Sequence, residues 1–396
     1  MRIYRLFDKT YPHIFEERRG ISVTLNLSNF AKLNSRNRNS PVLAATYYFN
    51  TPNDSNFDDK LENNSILSIG ETCVAADGQK GSCYETSECV RRRGTPIGQC
   101  KNQNLVCCIF QISCGDVIRQ SPVYVRNPGY PQSHNKEKIC KIRVEKVNST
   151  ICQFKLEYID FDIARPVDGN CTNDVLIITG HDENNRIPRI CGLNNGQHIY
   201  VDVRESGELG IHIMMIGNNP RKFNILITQI YCYGDDLAPS HCLQYYTGSQ
   251  GEIKSFNYEE HAAPIRMQGY PNNLDYAICL KKMPGYCSVT YQLSTGRNGG
   301  HYPFAVGTAA SSALSSSPVT AECKDDYLVI RDTRLCSAAM APSPTRTLRN
   351  VNASSPILLT DTTSGPFIVR FVSNGARNAR GFSLKYQQHP CNNQNN

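Results

Sequence analysis

A chain of 396 residues, 40% of them hydrophobic, is long enough for two or three domains with packed cores. The net charge of +7 is too small, and the basic residues too dispersed, to indicate a nucleic-acid-binding protein. No apolar stretch within the chain reaches the length of a membrane span, so no membrane-crossing segment is predicted.

The 18 cysteines are the most informative compositional feature. Wide, irregular gaps separate them, unlike the paired Cys-x-x-Cys clusters of zinc modules. Because disulfides persist in oxidising compartments, we predict a secreted, extracellular protein in which every cysteine is bridged. A signal peptide is not evident in residues 1–30, so this prediction depends on the cysteines.

Asn-x-Ser/Thr sequons agree with an exported chain. Asn170 is the least favoured acceptor because Cys171 occupies its middle position. The predicted glycosylation sites are Asn26, Asn53, Asn63, Asn148 and Asn352.

Residues 1–72 are rich in Asn and Ser and change from basic to acidic without a sustained helical or strand period. We predict a disordered, low-complexity segment. The alternative is a basic arm that contacts an anionic partner.

Residues 73–108, which we call the knot, hold six cysteines in a segment too short to fold without bridges. Six cysteines allow fifteen pairings, and the sequence alone does not choose among them. The cysteine order, with Gly81-Ser-Cys83 and a closing Cys-Cys doublet, resembles the clip domains that precede arthropod serine proteases. This resemblance implies the pairs Cys73–Cys107, Cys83–Cys100 and Cys89–Cys108.

Residues 114–232 alternate apolar and polar positions in short runs separated by turn residues, a pattern typical of an antiparallel β-sandwich. The predicted strands lie at 123–125, 141–144, 153–158, 175–178, 211–215 and 223–227.

Residues 242–391 repeat this plan: Met267-Gln-Gly-Tyr-Pro271 corresponds to Asn127-Pro-Gly-Tyr-Pro131. The second copy contains a low-complexity insertion, Ala309–Ser317, which we predict to be a mobile loop. The polar nine-residue connector 233–241 predicts a short, stiff joint.

The cysteine spacing of 114–232, with Tyr158-Ile-Asp-Phe-Asp162, Asp174-Val-Leu-Ile-Ile178 and Ile190-Cys-Gly192, resembles the CUB domain. The resemblance implies an all-β protein with two tandem CUB jelly-roll sandwiches after the knot, an order similar to that of a group of insect proteins. It implies the family bridges Cys114–Cys140 and Cys171–Cys191, and the repeat symmetry extends them to Cys242–Cys279 and Cys323–Cys336. We pair the remaining cysteines as Cys152–Cys232 and Cys287–Cys391.

Many CUB domains bind calcium through a Glu and two Asp, and only Asp174 matches this set in the first copy. We expect Asp174 and its counterpart Asp326 to cap loops and no cofactor to be bound. The alternative is a calcium site in which Asp160 and Asp162 assist Asp174.

No residues are predicted to be catalytic, because the sequence lacks the Gly-Asp-Ser-Gly, Gly-x-Ser-x-Gly and His-Glu-x-x-His motifs of common hydrolases. His198 follows Gly196-Gln197 in a predicted loop, with no acidic or nucleophilic residue nearby in the sequence to act with it.

We therefore predict a non-catalytic protein that binds an extracellular protein or glycan, with Tyr245-Tyr246 as an interface candidate. A non-enzymatic cofactor or regulator of a clip-type serine protease cascade, in innate immunity or cuticle formation, is the alternative. An unrecognised type of enzyme is the remaining hypothesis.

Overall fold

The computed structural model describes residues 70–182, 186–203, 208–258, 269–293, 304–307, 325–331, 333–336, 357–376 and 378–391. Nearly all of the predicted N-terminal segment, the Ala309–Ser317 insertion and the acceptors Asn26, Asn53, Asn63 and Asn352 lie outside these ranges. The described residues contain strands and one short helix, in agreement with the predicted all-β class. None of the described helical segments is long and apolar enough to cross a membrane.

The knot contains four strands and the helix. These are β1 (Thr72–Val74), β2 (Lys80–Tyr84), α1 (Thr86–Arg91), β3 (Thr95–Gln99) and β4 (Val106–Ile112). The helix turns Arg91 and Arg92 towards Glu88, and both side chains form ion pairs with it.

The first sandwich follows, with strands at the predicted positions and in two further places. They are β5 (Val117–Ile118), β6 (Val123–Arg126), β7 (Lys138–Glu145), β8 (Ile151–Asp162), β9 (Asp174–Thr179), β10 (His198–Asp202), β11 (Glu208–Met215) and β12 (Lys222–Tyr231). The sequence pattern does not predict β5 and β10.

Alternation of side chains produces the core of this sandwich. Strand β11 shows the pattern most clearly, since Leu209, Ile211, Ile213 and Met215 are buried and the residues between them are partly exposed. The four-stranded sheet has the order β5-β7-β11-β9 and faces a larger sheet across the core.

The knot and the first sandwich share that larger sheet, whose order is β1-β2-β4-β6-β12-β8-β10, with β3 paired to β4. Strand β4 pairs with β2 inside the knot and then runs parallel to β6, where Phe110 lies opposite Val123. The predicted boundary after Cys108 therefore falls inside a strand. Pairing satisfies the backbone groups that an isolated knot would leave on an open edge.

The second sandwich contains strands β13 to β22. Their bounds are Cys242–Tyr246, Gln250–Lys254, Asp275–Leu280, Tyr286–Leu293, Phe304–Ala305, Tyr327–Ile330, Thr333–Leu335, Ile357–Asp361, Phe367–Val372 and Gly381–Pro390. One sheet has the order β13-β15-β21-β18-β19, and the other has the order β14-β22-β16-β20, with β17 paired to β22.

Eight disulfides join described cysteines, and each lies within one of the three segments. They are Cys73–Cys107, Cys83–Cys100, Cys89–Cys108, Cys114–Cys140, Cys152–Cys232, Cys171–Cys191, Cys242–Cys279 and Cys287–Cys391. These are pairs that the cysteine pattern and the two resemblances imply. Cys336 is also disulfide-bonded, whereas its expected partner Cys323 lies outside the described residues.

Candidate functional site

A buried ion pair lies at one end of the first sandwich. Asp174 begins β9 and Arg221 directly precedes β12, and both side chains have a relative exposure of 0%. The Arg221 Nη2 and Nε groups donate to the Asp174 carboxylate over 2.8 and 2.9 Å. Two unit charges this deeply buried persist because each neutralises the other.

The remaining polar groups of this pair are also satisfied. Asp174 accepts hydrogen bonds from the backbone N–H of Ala164 at 2.8 Å and of Ile216 at 3.2 Å. Arg221 donates to the carbonyl oxygens of Ile216 at 2.7 Å and of Gly217 at 2.9 Å. Asp174 thus caps two loops, and a guanidinium supplies the positive charge beside it.

The two other carboxylates of the calcium alternative have separate partners. Asp160 accepts a hydrogen bond from the Tyr130 hydroxyl at 2.6 Å and lies 3.4 Å from the Lys222 ammonium. Asp162 pairs with Arg165 at 3.1 Å. Arg221 lies beside Asp174, and Asp160, Asp162 and Asp174 do not form a group with the spacing of a metal site among the described residues.

The sequence gives no indication that Arg221 is the partner of Asp174. The two residues are 47 positions apart, and Arg221 follows a turn, Asn218-Asn-Pro220, where a basic side chain usually points to solvent.

Among the described residues, one group of cysteines satisfies the spacing of a metal site, namely Cys73, Cys83 and Cys100. All three are in disulfides and so offer no thiolate.

A second polar cluster lies where the two sandwiches meet; we call it the seam. His198 at the start of β10 is buried, and its Nε2 lies 2.9 Å from the carbonyl oxygen and 3.0 Å from the amide nitrogen of Tyr245. The ring therefore bonds the backbone of Tyr245 in either neutral tautomer. Burial is the main cause that lowers the pKa of His198 to about 4; Lys155 contributes to this shift, while Glu157 and the hydrogen bond to Tyr245 oppose it.

Side-chain amides continue the seam. The Asn257 N–H donates to Asn194 Oδ1 at 2.8 Å, and the Leu193 N–H donates to Asn257 Oδ1 at 2.9 Å. The Gln197 amide donates to the Ser255 carbonyl oxygen at 3.1 Å. Buried polar groups that bond one another across an interface fix its register.

An apolar cluster lies beside these amides. The side chains of Tyr200 and Ile230 from the first sandwich pack with Ala238 of the connector and with Tyr245 and the Cys242–Cys279 bridge of the second. The connector is fixed as well, because the Ala238 N–H donates to Gln153 Oε1 and its carbonyl oxygen accepts from Gln153 Nε2, both at 2.9 Å.

Two expectations from the sequence are wrong at the seam. Tyr245-Tyr246 is expected to contact an outside partner, but Tyr245 is only 7% exposed. The ring of Tyr246 packs edge to face with the ring of His198, with 4.7 Å between the ring centroids. His198 is expected in a loop, yet it begins a strand, and its ring bonds the backbone of the second sandwich. Both differences arise from contacts between the two domains, and the local periodicity of the sequence does not reveal such contacts.

Comparison with known protein families assigns both sandwiches. Residues 239–389 match the family model for the animal CUB domain, and residues 114–208 match the model for the CUB domain. The chain contains two CUB domains. No curated protein matches the chain significantly.

Solved structures similar to this chain include the CUB1-EGF-CUB2 domains of rat MASP-1, at 12% identity over 70% of this chain and 99% of that one, with a TM-score of 0.24. The CUB1-EGF-CUB2 domain of human MASP-1/3 is 15% identical over 67% of this chain and 98% of that one, with a TM-score of 0.23. The full extracellular region of zebrafish Gpr126/Adgrg6 is 10% identical over 71% of this chain and 38% of that one, with a TM-score of 0.26.

In the second CUB domain, Asp326 corresponds to Asp174 but has different hydrogen-bond partners. Asp326 is 3% exposed, accepts a hydrogen bond from the Tyr270 hydroxyl at 2.6 Å and another from the Asn374 N–H at 2.7 Å. Desolvation raises the pKa of Asp326. Tyr270 in turn accepts from the Gly307 N–H at 2.9 Å. A hydroxyl in the second domain thus stands where the first domain has a guanidinium.

A cleft of about 330 Å³ opens at the loop end of the first CUB domain, close to the Asp174–Arg221 pair. It is lined by residues 162–165, Val167, Asn173 and Asn219-Pro220. Val167 is 47% exposed, as is Ile216, which hydrogen-bonds Asn173 through its backbone.

Proposed function

We propose that this protein is secreted and acts outside the cell as a non-catalytic binding protein, with its two CUB domains held as one body. CUB domains are binding modules, and the many disulfides suit an oxidising environment. The observation that carries the proposal is the seam, in which buried amides and His198 join the domains. A rigid pair presents its loops to a partner at a lower entropic cost than two tethered domains.

The loop end of the first CUB domain is the proposed contact surface. It offers a cleft with exposed Val167 and Ile216 at its margin and the paired charges Asp162 and Arg165 in its wall. Exposed apolar side chains grouped beside polar ones are typical of surfaces that bind other proteins. The Asp174–Arg221 pair, whose carboxylate accepts hydrogen bonds from the backbone of two of these loops, holds them in place.

The test is an affinity pull-down with the oxidised full chain from extracellular fluid, with and without calcium. Partners retained by the wild type should be lost when Val167 and Ile216 are both replaced by Asp. They should persist in Val90→Asp, a matched change of a 59% exposed side chain on α1 of the knot, outside this domain. Equal loss in both variants, or no partner in either condition, would refute the proposed contact surface.

Regulation of a clip-type serine protease cascade is the second candidate. The knot has the pairs Cys73–Cys107, Cys83–Cys100 and Cys89–Cys108, which are those that the clip resemblance implies. Co-purification with a serine protease after immune challenge would support this candidate. Partners that include no protease or protease inhibitor would favour the general binding role.

A further inference from the structure

An exposed apolar patch surrounds the turn between β7 and β8. Its members are Val147, Tyr231 and Tyr233, which are 41%, 54% and 99% exposed. The turn and the end of β12 are held together because the Cys232 N–H donates to the Thr150 carbonyl oxygen at 2.8 Å and Cys232 is bridged to Cys152. Two tyrosines on either side of this bridged cysteine are unusually exposed for residues of their size.

The sequon Asn148-Ser-Thr150 lies at the centre of this patch. Asn148 is exposed, and its side-chain oxygen accepts hydrogen bonds from the Thr150 N–H at 2.9 Å and from the Thr150 hydroxyl at 2.5 Å. These bonds engage the side-chain oxygen of Asn148 and leave its Nδ2 without a hydrogen bond to any described residue. The acceptor nitrogen is therefore accessible in the folded protein.

We infer that Asn148 carries an N-linked glycan that covers the patch of Val147, Tyr231 and Tyr233. In the transfer, Asn148 Nδ2 forms a bond to the anomeric carbon of a lipid-diphosphate-linked oligosaccharide. The bond from that carbon to the phosphate oxygen breaks, the lipid diphosphate leaves, and the amide loses one proton. A sugar chain attached at this turn shields apolar side chains that would otherwise promote self-association.

Asn170 provides an internal comparison, since it is also exposed and also lies in a sequon. Its Nδ2 points back to the Asp168 carbonyl oxygen at 3.4 Å, and Cys171 in the middle of its sequon is bridged to Cys191. The carbonyl oxygens of Asp168 and Gly169 accept hydrogen bonds from Asn272 of the second CUB domain, at 2.9 and 2.7 Å. A glycan at Asn170 would thus compete with the seam, and we expect none.

The experiment uses the full chain behind a cleavable secretion leader in animal cells, followed by enzymatic deglycosylation in heavy-oxygen water and peptide mass mapping. Label is expected at Asn148 and not at Asn170. Thr150→Ala should abolish the label at Asn148, whereas Ser149→Ala, which keeps the sequon, should retain it. An unlabelled Asn148 in secreted protein, or a label at Asn170, would overturn the assignment.

Shielding is tested separately with Asn148→Gln. Secreted Asn148→Gln protein should bind an apolar fluorescent dye and self-associate severalfold more than wild type, and adding Tyr231→Ser and Tyr233→Ser should reverse both effects. Unchanged dye binding and self-association would overturn the covering role.

The inference shares with the proposed function only passage through the secretory pathway. Because the leader forces secretion, a missing label leaves the pull-down result unaffected, and a failed pull-down leaves the glycan assignment unaffected.

Discussion

At the scale of single residues, the Asp174–Arg221 pair decides how the loop end of the first CUB domain is held. Its charges are fully buried, and the guanidinium and carboxylate lie within hydrogen-bond range of each other. A buried ion pair adds little compared with an apolar pair of equal volume, but removing one partner leaves an uncompensated charge. The effect of this pair on stability is therefore measured by removing one partner and leaving the other charge buried.

Replacing Arg221 by Met, which keeps most of the apolar volume, should lower the free energy of unfolding by about 3–5 kcal/mol. Urea denaturation of the full chain measures this change. Arg165→Met is the matched control, because Arg165 and Asp162 form a partly exposed pair worth less than about 1 kcal/mol. The Asp174→Leu, Arg221→Met double variant should recover part of the loss, and purely additive effects would contradict a coupled pair.

The pKa of His198 predicts a dependence of stability on pH. In the unfolded chain its pKa is near 6.5, whereas burial lowers it to about 4 in the folded protein. Between these values the unfolded state binds more protons, so acidification from pH 6.5 to pH 4 should remove stability, by roughly 3 kcal/mol from this group. Lys155 and Glu157 on β8 are the charged groups that act on the ring.

Denaturation of wild type and His198→Gln across this range isolates the contribution, because Gln retains hydrogen-bonding atoms but does not titrate. The difference between the two stability curves should shrink or reverse as the pH falls. A difference that stays constant from pH 6.5 to pH 4 would show that His198 titrates normally.

At the scale of elements, the seam depends on close approach of the backbone. Gly192 has φ +85° and lies against Asn257, where an added Cβ would overlap the Asn257 side-chain oxygen. Gly196 is nearby, has φ +76° and would meet nothing within 4 Å. The two glycines share a left-handed conformation and differ in whether the second domain faces them.

Gly196→Ala should cost about 1–2 kcal/mol of stability, from its left-handed backbone alone. Gly192→Ala should cost that amount plus about 1–3 kcal/mol for the overlap, and should increase hydrogen exchange at Leu193 and Asn257. Denaturation and exchange mass spectrometry measure the two effects. Equal losses in both variants would contradict close packing at the seam.

Strands β7, β8 and β11 of the first CUB domain could be predicted because they alternate between core and surface, and β6, β9 and β12 because they contain short apolar runs between turn residues. Strand β10 could not, since all of His198–Val201 is buried: His198 and Tyr200 face the second domain and Ile199 and Val201 face the core. The same reason explains the failure at Tyr245, and it explains why the sequence does not reveal the partner of Asp174. Contacts between residues far apart in the sequence produce no local periodicity, so a single sequence does not predict them.

At the scale of the whole molecule, the three cysteine-rich segments are less separate than their sequence suggests. The knot extends the large sheet of the first CUB domain and packs Ile109 and its bridges against Tyr124 and Leu226. The Lys80 N–H also donates to the Tyr124 hydroxyl at 2.8 Å. The disulfides stay within each segment, while sheet pairing and the seam join the segments to one another.

Peptide mapping of the non-reduced secreted protein should therefore recover the eight pairs of the structure and a ninth between Cys323 and Cys336. Each bridge restricts the unfolded chain, and those that close loops of this length contribute roughly 2–4 kcal/mol. Free thiols or bridges between segments would require a different arrangement of the modules.

The most direct test of a rigid CUB pair is the distance between the domains in solution. All described cysteines are in disulfides, so spin labels would be introduced as noncanonical residues at Lys141 of the first domain and Leu358 of the second, both exposed. Pulsed electron paramagnetic resonance should give one narrow distance distribution for wild type and a broader one for Gly192→Ala. A broad distribution in the wild-type protein would contradict the central claim that the seam holds the two CUB domains as one body.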